Sequence, residues 1–436
     1  MRTPIDDYIR VYIASNATRL HMPGHKGSTA PEDITEIDGA DVLYHSNGII
    51  AQSQRYAAEL FGSAKTVYST EGSSLAIRAM LYLMCLYAGK KPVIAAGRNA
   101  HKTFVTAAAL LDIDVQWLWP EDQKDILSCT VEPVQLDAFL QKHKVDGVYI
   151  TSPDYLGKRV DISAIAEVCH AHGSLLLVDN AHGAYLRFLD ESLHPLDLGA
   201  DMCCDSAHKT LPVLTGGAYL HIAHRAPEMF CLQAERAMSV FASTSPSYMI
   251  LRSLDLCNRY LAQDYCPQLR SFLPIVQQLK DKLTAAGYRC ISQEPLKITI
   301  APKSFGYTGA QLAQILQTHN LICEFSDPDY LVLMLTPENG QASLELVESI
   351  LLALPRKFPI LEVMPQLHKP EAVVSMQKAM LQCGAELPLR ECVGKILCAP
   401  TVSCPPAVPI VVSGERITED VVAVMEYYGI DHLYVI

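Results

Sequence analysis

Through the first half of this chain, short and nearly unbroken apolar runs alternate with longer stretches of helical periodicity. No other feature restricts the fold as much. The runs Pro92–Ala96, Gly147–Thr151, Ser174–Asp179, Met202–Ser206 and Ala218–Ile222 read as strands. Strands that lack apolar-polar alternation are expected to be covered on both faces. Between them, Ser73–Tyr87, His101–Leu111, Val134–His143 and Ile162–His172 read as helices. That order implies an α/β domain with a mostly parallel sheet, whose ligands bind beyond the carboxyl ends of the strands.

The chain has 436 residues, more than one hydrophobic core usually supports, so several domains are expected. A helix from about Pro246 to Gln263 reads as a connector, followed by a helix over Leu269–Ala286. Leu296–Ala301 and Tyr330–Leu335 read as strands of a smaller α+β domain. From about Lys369 a last segment begins with a helix and passes a Pro-rich turn (403–409). It ends in a helix, Thr418–Tyr428, and a short strand. The expected divisions are 1–255 for an N-terminal arm and large domain, 256–368 for a small domain, and 369–436 for the C-terminal segment.

Composition narrows the function. The formal net charge of -12 argues against a nucleic-acid footprint, which needs a basic stripe. The opening MRTPIDDYIR has acids and no apolar core of a signal peptide, and the apolar stretch Leu75–Ala88 is broken by Arg78. Neither feature suits a membrane or secreted protein. The 14 cysteines show no CxxC pair, so reduced thiols in the cytoplasm are expected, with no metal site or disulfide framework.

Four segments carry candidate chemistry. In DMCCDSAHKTLPVLTGG (201–217) a strand leads into Ser206, His208 and Lys209. A lysine among strand ends suits imine chemistry, once its neutral amine is available to attack an aldehyde. Asp179 ends the apolar run SLLLVD, where a carboxylate next to a pyridinium would keep the ring nitrogen protonated. Gly72, Ser73 and Ser74 open a helix, and free amides with hydroxyls there can receive a phosphate dianion. His101, at the start of the next helix, could stack on a flat aromatic cofactor. Taken singly, each has an ordinary reading: a solvated lysine, a loop-capping acid, a serine N-cap and a satisfied histidine.

Together with RLHMPGHKG (19–27), TSPDYLGKRVDI (151–162), VDNAHGAY (178–185) and CPPAVPIVVSGERI (404–417), these motifs occur in the order seen in one family. The chain resembles the ornithine/lysine/arginine decarboxylases of the aspartate-aminotransferase fold, over nearly its whole length. The resemblance implies a large domain with a mostly parallel seven-stranded sheet, a smaller α+β part, and pyridoxal 5'-phosphate as cofactor. It implies that Lys209 binds the cofactor covalently and that Asp179 pairs with its ring nitrogen. His101 would lie on one face of the ring, with Ala181 and His182 near the other. Gly72, Ser73, Ser74, Ser206 and His208 would hold the phosphate.

In this family a Ser/Thr segment of a neighbouring subunit also reaches the phosphate, and Ser243 and Thr244 in STSPSY (243–248) match it. A homodimer or higher oligomer with interface sites is therefore expected. The expected reaction is decarboxylation of a basic amino acid to its amine, as in polyamine biosynthesis, with arginine favoured over lysine or ornithine. Lys209 or His208 would return the proton to Cα. Glu324, Asp327 and Glu415 are candidates for the distal cationic group. An aminotransferase or lyase of the same fold, or a silent homologue acting as a binding protein, are the rival readings. The sequence departs from relatives at Asp154, where small hydroxyl residues are frequent, and at Ala407, where glycine is expected. It begins without the response-regulator-like domain of the acid-stress relatives, so their large assembly is not expected. His21 and His25 would either approach a neighbour's site or brace the N-terminal arm.

Overall fold

The computed structural model describes residues 1–119, 131–399, 401–404 and 408–436. Pro405, Pro406 and Ala407 of the Pro-rich turn lie outside the described residues. The main sheet holds β1 (Lys65–Ser69), β2 (Val93–Gly97), β3 (Asp114–Leu118), β4 (Gly147–Thr151), β5 (Leu175–Asp179), β6 (Met202–Asp205) and β7 (Ala218–Ile222). Their order is β1-β7-β6-β5-β4-β2-β3. The pairs β2–β3 and β5–β6 are parallel, whereas β7 runs antiparallel to β6 and to β1. This is the expected mostly parallel seven-stranded sheet.

The residues read as strands form β2 and β4 to β7, shifted by no more than a residue at either end. The strands that the apolar pattern misses, β1 and β3, are the two edges of the sheet. An edge strand needs no unbroken apolar run, and β3 is mostly half-exposed.

Packing divides the chain into two compact units. The first comprises Met1–Pro92, Asp146–Val148 and Ile162–Leu269. Its helices are α1 (Pro4–Ala14), α2 (Ile49–Phe61) and α3 (Gly72–Ala88), and, further along, segments Ile162–Ala171, Ala207–Thr210, Glu228–Ser239 and Tyr248–Tyr260. The N-terminal arm is pinned here: Asp255 Oδ2 accepts the Ile5 and Asp6 amides at 2.9 and 3.0 Å, satisfying donors that a helix start leaves free. α3 is apolar on most of its circumference and correspondingly buried, as a helix covering a sheet must be.

The second unit comprises Val93–Val145, Tyr149–Asp161 and Arg270–Ile436. It contains α4 (Lys102–Leu110) and a four-stranded antiparallel sheet of Arg289–Cys290, Lys297–Ala301, Phe325–Ser326 and Leu331–Met334. Its C-terminal part has its own apolar core around Leu389, Ile410, Ile417, Val421, Val424 and Met425. The expected helix from Lys369 is shorter than read: it runs over Met376–Met380 and starts where the Ser375 hydroxyl accepts the Lys378 amide at 3.2 Å. The connector and the helix after it are continuous, joined by a π-helical turn at Leu261–Tyr265. Among the described residues no helix is long and apolar enough to cross a membrane.

Candidate active site

Three chain turns leave the sheet at one edge of the first unit. The parallel pair β5–β6 ends with Asp179 opposite Cys204, so Asn180–His182 and Ser206–Lys209 emerge side by side. Because β7 is antiparallel, it begins at that edge, with Tyr219 opposite Asp205 and Ala218 opposite Ser69. α3 therefore starts there too, and the Gly72 amide donates to Gly216 O at 2.7 Å.

Lys209 sits in the single helical turn Ala207–Thr210, half-buried, with Nζ 3.1 Å from His182 Nε2. An ammonium only donates, so this imidazole nitrogen accepts. Asp179 is 2 % exposed, and its Oδ1 accepts the Ala181 amide at 3.2 Å and the Cys204 thiol at 3.5 Å. Burial, with Asp179 adding to it, pushes the Cys204 thiol well above the usual range, so it stays a protonated donor. Ala181 and His182 are buried in the same turn.

The start of α3 lies against the turn after β6. Ser206 Oγ donates to Ser73 Oγ at 2.7 Å, and Gly72 holds a backbone φ of +70° that side-chain-bearing residues rarely adopt. His208 Nδ1 lies 3.0 Å from Gly217 O, a carbonyl that only accepts, so Nδ1 carries the proton. Burial lowers the His208 pKa, and the Lys209 charge adds to the effect against the opposing Gly217 bond. The ring is then neutral near pH 7, with Nε2 its basic nitrogen.

The other expected residues are placed as follows. Ser243 and Thr244 lie on an exposed segment, where the Ser243 amide donates to Glu71 Oε1 at 2.8 Å, one residue before α3. His101 belongs to the second unit and caps α4, its Nδ1 accepting the Thr103 amide at 3.2 Å. Asp154 is buried and closes its own loop, Oδ1 accepting the Lys158 amide at 2.8 Å. His21 hydrogen-bonds Tyr12 at 2.5 Å and His25 pairs with Asp33 at 3.1 Å, both within the N-terminal arm.

The candidates for the distal cationic group lie in the second unit, each with a partner there. Glu415 and Arg98 form a two-pronged ion pair at 2.7 and 3.0 Å, both almost fully buried, with Arg98 between the rings of Trp117 and Trp119. Asp327 Oδ1 accepts the Asp329 and Tyr330 amides at 2.7 and 2.6 Å and so closes a turn. Glu324 accepts the Tyr155 hydroxyl at 2.7 Å. What the sequence reading misses is a buried cluster of Asp205, His194, His221 and Asn180 beneath the turns that bear Lys209 and Asp179. Asp205 and Asn180 stand inside the quoted motifs, but nothing in the sequence marks the two histidines as their partners.

Pyridoxal phosphate makes three chemical demands: an amine for its aldehyde, a carboxylate for its ring nitrogen and donors for its phosphate. The first unit brings groups of all three kinds to one sheet edge: Lys209, Asp179 and the hydroxyl pair Ser73 and Ser206, with the Gly72 amide already given to Gly216 O. The residues fit the group.

Residues 26–292 match the family described as "Orn/Lys/Arg decarboxylase, major domain". The chain is 28 % identical to the arginine decarboxylase of Bacillus subtilis, over 96 % of this chain and 92 % of that protein. It is 26 % identical to the arginine decarboxylase of Halalkalibacterium halodurans, over 96 % and 91 % of the two chains. Among solved structures it is similar to lysine decarboxylase A of Pseudomonas aeruginosa, with a TM-score of 0.81 at 15 % identity over 98 % of this chain and 76 % of that one. The lysine decarboxylase LdcF of Francisella novicida gives a TM-score of 0.78 at 16 % identity over 100 % and 81 %.

Proposed function

This chain belongs to the Orn/Lys/Arg decarboxylase family and is a pyridoxal-phosphate-dependent decarboxylase of basic amino acids; from that premise we propose that arginine is its substrate and that Lys209 holds the cofactor. The names of the relatives from Bacillus subtilis and Halalkalibacterium halodurans, similar over nearly the full length of both chains, support arginine. The observation that carries the cofactor assignment is the 3.1 Å bond between Lys209 Nζ and His182 Nε2 at the sheet edge where Asp179 emerges.

When bound, the cofactor supplies the electron sink for the pair released as carbon dioxide leaves. The chain's own residues prepare and orient that event. His182 Nε2 accepts from Lys209 Nζ and so holds in place the amine whose neutral form attachment requires. Asp179, aimed by the Ala181 amide and the Cys204 thiol, would hold a proton on the ring nitrogen. The amides of Ser73 and Ser74, near the positive end of a 17-residue helix, would fix the phosphate together with the Ser73 and Ser206 hydroxyls, while the Gly72 amide is given to Gly216 O. Lys209 Nζ or neighbouring His208 would return the proton to the product's α-carbon. A role for His101 at the ring face, a homodimer in which Ser243 and Thr244 reach a neighbour's phosphate, a cytoplasmic setting and a place in polyamine production belong to the same proposal. They rest on the family resemblance.

The test is a visible spectrum of the purified protein, followed by carbon dioxide release from arginine, lysine and ornithine supplied separately. A borohydride-reducible band that Lys209→Ala removes, with gas chiefly from arginine, is the expected result. Gas chiefly from lysine or ornithine overturns the substrate, and a reducible band that survives Lys209→Ala overturns the cofactor residue.

A further inference from the structure

The two turns that bear Lys209 and Asp179 are short and poorly self-supporting. Lys209 lies in a helix of 4 residues, too short to gain from helical cooperativity. The Asp179 turn follows directly on the last strand pair, Asp179 with Cys204. One backbone rung remains beyond it, from the Asn180 amide to Cys204 O at 3.0 Å. Past that point the ladder stops and a side-chain bond takes over, as Asn180 Nδ2 donates to Asp205 Oδ1 at 2.7 Å.

Asp205 is fully buried and held from behind. Its Oδ2 accepts His194 Nε2 at 3.0 Å and faces His221 Nε2 at 3.4 Å. The Leu196 amide donates to His194 Nδ1 at 3.4 Å, which puts the ring proton on Nε2, toward Asp205. The three ligand-type side chains lie close enough for a metal, but that proton makes the cluster a hydrogen-bonded one. His221 Nδ1 meets Thr66 Oγ1 at 2.8 Å, and the Phe61 ring packs 4.5 Å from the His221 ring. Burial alone would raise the Asp205 carboxyl, and the two histidines more than offset this, holding it below the usual range. An ionised acceptor gives Asn180 a stronger and more directional bond than a neutral one would.

The Asn180 side chain is crowded from its other side. A Cβ added at Gly183 would stand 2.0 Å from Asn180 Oδ1, so only glycine leaves this amide its place. The Gly183 amide in turn donates to Asn180 O at 2.8 Å, closing the turn that carries Ala181 and His182. Beyond the last backbone rung, the Asn180–Asp205 bond thus ties the segment that leads to Lys209 to the segment that carries Asp179 and His182, alongside the Cys204–Asp179 and Lys209–His182 contacts nearer the site.

We propose that Asp205 and Asn180 are positioning residues, whose bond fixes Lys209 relative to Asp179 and thereby sets how tightly pyridoxal phosphate is held. The proposal rests on the cofactor assignment above. It makes the buried aspartate a determinant of cofactor affinity, beyond its part in stability.

The experiment titrates pyridoxal phosphate into apo-protein of the wild type, Asp205→Asn, Asn180→Ala and Thr66→Val, following the visible band and its pH midpoint, with thermal unfolding of each apo-protein in parallel. Thr66→Val loosens the far end of the cluster and serves as the stability control. Asp205→Asn and Asn180→Ala are expected to weaken cofactor binding roughly tenfold or more, the scale on which orienting partners act, and to move the pH midpoint of the band. Thr66→Val should lower the unfolding temperature with affinity within about twofold of wild type, since it lies outside the Asn180–Asp205 pair. Wild-type affinity in Asn180→Ala, or an equal loss in Thr66→Val, overturns the proposal. If Asp205→Asn does not fold, Asn180→Ala carries the test, because it removes the bond and leaves the Asp205–His194 pair in place. A wild type with no Lys209-dependent band would instead overturn the cofactor assignment.

Discussion

Asp205 and Asp327 are both buried aspartates, one in each compact unit, and their carboxyls lie on opposite sides of the ordinary range. Burial pushes Asp327 up to about 7, against the two amide bonds that favour its ionised form. Asp205 is at least as buried, yet lies below the usual range because His194 and His221 outweigh the same penalty. The difference is in the second oxygen. Asp205 Oδ2 meets two imidazoles, whereas Asp327 Oδ2 is buried without a hydrogen-bond partner among the described residues. Burial alone does not decide the charge of a carboxylate; the partner of its second oxygen does.

Glu415 extends the comparison to a carboxylate that meets a full cation. Glu415→Ala would leave Arg98 buried without its counter-charge, and the expected loss is about 3–5 kcal/mol in denaturant unfolding. The double variant Arg98→Met with Glu415→Leu should recover most of that loss, because apolar groups of similar size replace such pairs at little cost. A double variant as unstable as the single one would mean that the pair contributes more than packing.

Asp205→Asn should cost the apo-protein about 2–4 kcal/mol near neutral pH, by setting an amide against donors that need an anion. The sign with pH is fixed by the lowered folded-state pKa. The Asp205 contribution is fully present above the unfolded value and is lost as pH falls through the folded one. The acid limb of the wild-type stability curve should therefore be steeper than that of Asp205→Asn.

Asp327→Asn should behave in the opposite sense. A raised folded-state pKa gives stability that is present below the unfolded value and is lost as pH rises through about 7. The variant should match the wild type below about pH 4, gain on it steadily up to about pH 7, and exceed it by about 3–4 kcal/mol near pH 8. A variant less stable throughout this range would show that Asp327 stays ionised. At the small end, Lys282→Ala removes a pair with Glu348 at 2.7 Å on the surface and should change stability by no more than about 1 kcal/mol.

Much of this was legible in the sequence. The interior strands of the main sheet announce themselves as apolar runs, because both of their faces are covered. The edge strands β1 and β3 do not, and β1 spends polar residues on side-chain bonds such as Thr66 to His221. Lys209, Asp179 and the Gly72–Ser74 segment are visible as motif positions, and the sheet order brings them to one edge. The partners of the acids offered for substrate recognition were not legible. Glu415, Asp327 and Glu324 look alike in sequence, yet one forms a buried ion pair, one closes a turn and one accepts a tyrosine hydroxyl.

By itself the sequence determined the local elements, their alternation and the residue types that imine chemistry and phosphate binding require. Those follow from periodicity and chain order, which are properties of neighbours along the chain. Only the tertiary structure decided which charges are committed to holding the molecule together. Arg98 finds Glu415 across a long stretch of chain, and Asp205 finds His221 on the neighbouring strand, both in surroundings from which water is excluded. There the energy of a charge depends on what lies within a few ångströms of it, and chain order does not carry that information.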